Sequence, residues 1–146
     1  EYGHVMQAET KGSGDFLRSC RLFEDSERAH PITEAETIKI EHIQGKLLVV
    51  GAEDDGLWPT AKYIRRMEKR LKEKPHACEV EIAVYEHGTH FVFPEGMMKT
   101  MLPVGSGLFV KLMFRDARKY GKACRQTRED IDRRVTANLA AWRNAK

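Results

Sequence analysis

The rhythm of apolar and polar positions changes along the chain, and each rhythm predicts a different element. Leu47-Leu48-Val49-Val50 is an uninterrupted apolar run closed by Gly51, the pattern of a strand covered on both faces in a parallel sheet. Pro59 follows and suits the first turn of a helix, where its missing N–H is not needed. Ala61, Ile64, Met67 and Leu71 then recur at near-helical spacing on one face, while Lys62, Arg65, Arg66, Lys69 and Lys72 occupy much of the rest. That helix runs out at Lys74-Pro75. Val80, Ile82 and Val84 alternate with Glu79, Glu81 and Ala83, which reads as a second strand. Strand, helix and strand at this spacing make a βαβ unit.

The flanking stretches are less regular. Residues 1–45 form a polar, uneven lead-in with a turn cluster at Lys11-Gly12-Ser13-Gly14 and a break at Pro31. Asp15 is placed to cap a short helix through Phe16, Leu17, Cys20 and Phe23. Ile38 to Ile43 loosely alternates and reads as an extended approach to the first strand. Beyond His90, the residues Pro94, Pro103 and Gly105-Ser106-Gly107 predict a long surface loop. A final helix is expected from about Lys122 to Arg143. Its buried stripe would be Cys124, Ile131, Val135, Leu139 and Trp142, with Arg125, Arg128, Arg133 and Arg134 mostly solvated. The fold class is α/β, in one region spanning 1–146, with the βαβ unit, loop and terminal helix over 46–146 and no internal repeat.

Composition narrows the function classes. An apolar fraction of 41% and a charged fraction of 32% over 146 residues suit a soluble globular region with its own core. The net charge of +3, from 25 basic and 22 acidic residues, is too mild to imply nucleic acid or an anionic membrane as partner. No apolar run approaches the roughly 20 residues of a membrane helix. Cys20, Cys78 and Cys124 lie far apart with no Cys-x-x-Cys spacing. That argues against a disulfide framework or zinc site and for a reducing, cytoplasmic setting. The sequence opens at Glu1 without a signal peptide's apolar region, which fits a processed product, an engineered piece or a proteolytic remnant.

In open α/β sheets, functional groups gather at the carboxyl ends of the strands. Two loops leave such ends: Gly51 to Pro59, containing Asp54 and Asp55, and Glu86 to His90. Parallel strands put both loops on one edge, where an aspartate and a histidine can meet. A carboxylate that accepts a hydrogen bond from imidazole Nδ1 fixes the tautomer and steadies the imidazolium formed during acyl transfer. Acid before histidine in consecutive βα units is the order of α/β-hydrolases, whose nucleophile precedes both. Other readings stand beside this one. An aspartate after a strand also serves as a helix cap. His87 and His90, three residues apart, could share a metal ion, although spacing fixes no third ligand. Trp58 suits an apolar crevice or the wall of an acyl pocket. The basic face of residues 62–74 is either solvated, with Glu68 and Glu73 interspersed, or an attractor for phosphates.

The resemblance to a known family becomes specific over residues 38–94. The residues that carry it are Ile40-Glu41-His42-Ile43 ahead of Gly45-Lys46, the run Asp54-Asp55-Gly56-Leu57-Trp58-Pro59-Thr60, and Tyr85 five residues ahead of His90. Together these resemble the C-terminal catalytic region of the acyl-CoA thioester hydrolase and bile acid-CoA:amino acid N-acyltransferase family, a dienelactone-hydrolase-like branch of the α/β-hydrolases. The terminal helix fits that family only loosely. The resemblance implies the C-terminal portion of an α/β-hydrolase sheet, an incomplete one, with Asp55 as triad acid and His90 as general base. Asp55 is preferred over Asp54 because the family's acid stands four residues ahead of a proline, as Asp55 does ahead of Pro59. One departure is Thr89, where the family usually carries glycine directly before its histidine; here Gly88 stands one place earlier.

No Gly-x-Ser-x-Gly or Gly-x-Cys-x-Gly elbow occurs in the 146 residues. Ser13 and Ser106 adjoin glycines without the strand and helix that present a nucleophile. Cys20 falls in the expected amphipathic helix and is expected to be packed. The expectation is therefore part of an acyl hydrolase or acyltransferase acting on small-molecule esters or thioesters, with acyl-CoA implied by the resemblance alone. It would supply acid and histidine but not the nucleophile, which would lie upstream of Glu1, and it needs no cofactor and no metal. The rival is a non-enzymatic α/β interaction or assembly module, and a third reading is a small basic binding domain using the arginine-rich final helix. Two strands alone make a marginal sheet, so the chain is expected to associate with a second copy or with a missing N-terminal half.

Overall fold

A strand that is apolar on both faces needs cover on both sides, and the chain supplies part of it. The structure, a computed structural model, describes residues 19–102 and 106–144. Its elements are α1 (Cys20–Ala29), a short 3-10 turn (Ile40–His42), β1 (Lys46–Ala52), α2 (Thr60–Glu73), β2 (Glu79–Tyr85), α3 (Glu95–Met101), α4 (Ser106–Met113), α5 (Arg115–Lys119) and α6 (Gly121–Asn144). The expected βαβ unit is present. β1 and β2 pair in parallel without a slip, from Lys46 opposite Glu79 to Ala52 opposite Tyr85. Among the described residues the sheet has these two strands.

One face of the sheet meets α2. Leu71, Ile40 and Cys78 form a buried cluster there, with Met67, Leu47, Val80 and Ile43 packed against it. Gly51 leaves room for the same helix, since a Cβ there would collide with Ile64 and Thr60. The stretch expected to be extended before β1 instead turns at Ile40–His42, which lets Ile40 and Ile43, three apart, reach one cluster. The other face meets α6 through polar groups. Tyr85 donates to Asp130 at 2.7 Å, Arg134 bridges Asp130 and Glu81, and Asn138 donates to Glu81 at 2.9 Å. Glu81 of β2 thus pairs with a helix, while Glu79 at the start of the strand stays exposed beside Lys46 of β1. Burial, reinforced by the Asp130 carboxylate, pushes the Tyr85 phenol up to about 12.

The long surface loop expected after His90 is not what the chain forms. Pro94 stands directly before α3, and Ser106-Gly107 opens α4. Met98, Val110, Phe114, Ala117 and Cys124 build the other main cluster, with Phe91, Phe93, Leu102 and Tyr120 against it. Helices this short each bury only one or two side chains, so no helical period shows in the sequence. The final helix matches expectation to within one residue at each end, but its stripe does not. Cys124 and Ile131 are buried, whereas Leu139 and Trp142 are exposed. Arg128, expected in solvent, is buried and binds Glu95 of α3 at 2.7 Å.

The lead-in helix runs from Cys20 to Ala29, and the expected capping by Asp15 with Phe16 and Leu17 falls outside the described residues. Its Glu27 takes Lys62 and Arg66 from the basic face of α2, and Arg70 of that face binds Glu34 and Glu41 in the segment that follows the helix. That face is engaged in ion pairs across elements, so its positive charge is largely compensated within the chain. No helix among the described residues is long and apolar enough to cross a membrane.

The Arg128–Glu95 pair generates a stability prediction. Removing one partner of a buried ion pair strands the other charge, at a cost of about 3–5 kcal/mol. Arg128→Ala should lose that much in urea unfolding, and the double variant Arg128→Met/Glu95→Leu should regain most of it. Equal losses in both variants would mean the charges act independently.

Candidate active site

The register of the sheet decides what can meet at its carboxyl edge. Ala52 and Tyr85 end the strands side by side, and the Glu53 N–H donates to the Tyr85 carbonyl at 2.8 Å, so the two loops depart in contact. Asp55 follows on the first loop with its side chain only 2% exposed. His90 follows on the second, and its Nδ1 lies 3.0 Å from Asp55 Oδ2 and 3.2 Å from Oδ1. The structure brings together the two residues singled out from sequence. A bond from Nδ1–H to a carboxylate leaves Nε2 as the basic nitrogen.

Asp55 is also a loop organiser. Its Oδ1 accepts the N–H groups of Leu57 and Trp58 at 3.0 and 3.1 Å, and its Oδ2 accepts the Thr60 hydroxyl. Capping and imidazole binding are therefore two tasks of one carboxylate. Burial pushes its pKa up, but the bonds from His90, Thr60 and the Trp58 N–H outweigh burial and hold the carboxyl below the ordinary aspartate range. The backbone of this loop is pinned by the start of α1. Ser19 donates to the Leu57 carbonyl at 2.8 Å, Cys20 N–H to Gly56 at 3.1 Å, and the Cys20 thiol to the Asp55 carbonyl at 3.1 Å. Burial, with Asp55 and Glu24 nearby, raises the Cys20 thiol to about 11. It stays protonated at neutral pH and is a poor nucleophile.

The second aspartate takes different partners. Asp54 Oδ1 accepts the N–H groups of Gly88 at 2.9 Å and Thr89 at 2.7 Å, and Oδ2 lies 3.3 Å from His87 Nδ1. His87 stacks on Tyr120, with ring centroids 3.7 Å apart, and its carbonyl accepts the Thr127 hydroxyl at 2.5 Å. Gly88 is boxed in: a Cβ there would lie 2.7 Å from Val92 and 3.0 Å from the Ala52 Cβ. Thr89 is fully buried with φ 60°, a left-handed conformation that costs an L-residue roughly 1–2 kcal/mol. Its hydroxyl accepts the Phe91 N–H at 3.2 Å. Glycine adopts that conformation without strain, which explains why glycine suits the position before the histidine. This chain keeps the turn with threonine.

The two histidines thus bind separate carboxylates. Among the described residues, no group of three or more His, Cys, Asp or Glu could hold a metal ion. Trp58 is half-exposed and meets the His90 ring edge-on at 4.8 Å, and Phe91 continues the aromatic surface toward Phe114. A groove of about 330 Å³ lined by Glu27, Pro31, Ile32, Thr37 and Arg66 lies between α1 and α2 and includes none of these groups. The residues to which the sequence reading gives no role in the site are Ser19, Thr60 and Thr127. Thr60 stands at the end of the Asp54–Thr60 run, and Thr127 leaves a trace as a small hydroxyl residue between Cys124 and Ile131 on the buried stripe of α6.

Comparison with known families matches residues 5–97 to the family described as BAAT / Acyl-CoA thioester hydrolase C terminal. The match covers more than half of the chain, contains both Asp55 and His90, and reaches further upstream than the motifs at 38–94. Searches of the curated proteins and of the solved structures found no match.

The depressed Asp55 carboxyl fixes a pH dependence. A group whose folded pKa lies below its unfolded value adds stability above the unfolded value and loses it as pH falls. The stability difference between the wild-type chain and Asp55→Asn should therefore be constant near neutrality and shrink once pH drops below the ordinary aspartate value of 3.8. Denaturant titrations from pH 7 to pH 3 measure it, and a difference independent of pH would overturn the assignment.

Proposed function

The chain belongs to the BAAT / acyl-CoA thioester hydrolase C-terminal family, and we propose that it supplies the acid and the general base of an acyl-transfer triad, Asp55 and His90. The observation that carries this reading is the 3.0 Å contact of His90 Nδ1 with a buried Asp55 at the carboxyl ends of adjacent parallel strands. In the proposed step, His90 Nε2 takes the proton from a serine or cysteine as it attacks an ester or thioester carbonyl. Collapse of the tetrahedral intermediate breaks the bond to the leaving alcohol or thiol, which receives that proton from His90. Water or an amine then takes the acyl group by the reverse sequence. Asp55 holds the imidazole in the right tautomer and stabilises the imidazolium. Family membership supports acyl-CoA as substrate, and other carboxylic esters meet the same chemistry.

The nucleophile is proposed to come from residues outside these 146, because no elbow motif occurs within them. The chain alone should give flat traces with p-nitrophenyl acetate and with acyl-CoA. A longer form of the protein carrying an elbow should turn over, and His90→Ala should lower its kcat on the order of 10⁴-fold or more. A saturable rate from the 146-residue chain that His90→Ala abolishes would show a nucleophile within it.

A second reading concerns assembly. Leu47, Leu48, Val49 and Val50 are all only half-buried despite being apolar. β1 pairs with β2 on one edge only among the described residues, and an apolar strand with an open edge in so small a sheet favours association. We propose that the strand is completed by a second copy or by further strands of the same protein. Light scattering of the isolated chain at low micromolar concentration should report self-association, and a monomer with a cooperative melt would refute it.

A further inference from the structure

We propose that Asp54 is a positioning residue, whose carboxylate latches the backbone of the His90 loop and so sets where the imidazole meets Asp55. The inference rests on the reading of Asp55 and His90 as acid and base.

Its grounds are geometric. All three Asp54 contacts go to the three residues directly before His90: the N–H groups of Gly88 and Thr89 on Oδ1, and His87 Nδ1 on Oδ2. Adjacent residues of the first loop therefore bind adjacent residues of the second, Asp54 with 88–89 and Asp55 with 90. This closes a small ring of two covalent steps and two hydrogen bonds, within which His90 cannot shift without stretching a bond to Asp54 or to Asp55. Thr89 makes the latch necessary. A buried β-branched residue at φ 60° holds that conformation only while its surroundings impose it, and the bond from its N–H to Asp54, at 2.7 Å, fixes the peptide in question. Release would let Thr89 relax to negative φ and swing the next residue, His90, away from Asp55. Two further restraints act on this turn: Thr127 of α6 holds the His87 carbonyl ahead of Thr89, and the Thr89 hydroxyl accepts the Phe91 N–H beyond it. Neither of them holds the Thr89 N–H, which Asp54 takes.

The latch needs an oxygen that accepts two N–H groups, which a carboxamide provides and a methyl group does not. The test uses the 146-residue chain and the downfield proton resonance of the His90 Nδ1–H, identified by its loss in His90→Gln and Asp55→Asn. Asp54→Ala should abolish that resonance while the circular-dichroism spectrum stays that of the wild type. Asp54→Asn should retain it, with the Gly88 and Thr89 amides still slow to exchange. A resonance that persists in Asp54→Ala would overturn the latch and leave the Asp55–His90 pair standing. If Asp54→Ala does not fold, Asp54→Asn decides: retention supports the latch, and loss refutes it because the accepting oxygen is still there. A wild-type chain that lacks the resonance, and is unchanged by Asp55→Asn, would overturn the acid–base reading and the latch with it.

Discussion

The in-register parallel pairing of β1 with β2 is the constraint on which the site depends. Because Ala52 stands opposite Tyr85, both loops leave the sheet at one level and on one edge. A slip of one residue would turn Asp55 and His90 toward opposite faces, since side chains alternate along a strand. Register is in turn fixed by what each face must meet. Leu47 and Val80 have to reach the cluster around Leu71, while Glu81 and Tyr85 have to reach Arg134, Asn138 and Asp130 on α6. The apolar face and the polar face specify the same alignment, and the position of the site follows from it.

Beyond register, the site is a matter of satisfied carboxylates. Two neighbouring aspartates in a half-buried loop would repel each other and lose hydration, so each needs donors. Asp55 takes an imidazole, a hydroxyl and two backbone N–H groups, and Asp54 takes two backbone N–H groups and a second imidazole. No buried side-chain polar atom among the described residues lacks a partner. The donors that solve the electrostatic problem are the ones that fix the loops, so charge balance and geometry are achieved by the same bonds. The strained Thr89 fits this logic: the turn is retained because several bonds hold it.

Local pattern made the βαβ unit and the Asp55–His90 pair legible, because both depend on short-range rules. An apolar run, a helical period and an alternating run each occupy fewer than about 18 residues, and Asp55 and His90 each stand a few residues beyond the end of one of the two strands. Long-range pairing was not legible. Arg128 reads as a solvated arginine from its helix alone, and only the approach of Glu95 from α3 buries it. Proline and glycine between 94 and 107 read as loop punctuation, yet Pro94 stands directly before one helix and Gly107 lies in the first turn of another, both too short to show a period. Leu139 and Trp142 continue the periodicity of α6 and yet remain largely exposed. Asp54 was indistinguishable from Asp55 by type, and the choice between them rested on distance to Pro59. The role of Asp54 depends on backbone N–H groups, which carry no sequence signal.

Burial along β1 is uneven in an informative direction. Lys46 is exposed, Leu47 to Val50 are half-buried, and Gly51 and Ala52 are buried. The best-covered end of the strand is the one from which the aspartate loop departs, where α6 and the His87–His90 turn close over it. A freestanding α/β domain would be best buried at the centre of its strands, under helices on both faces. Here the packing is concentrated behind the two loops, with the apolar middle of the strand left partly open. That distribution fits the proposed completion of the strand by a second copy or by further strands of the same protein.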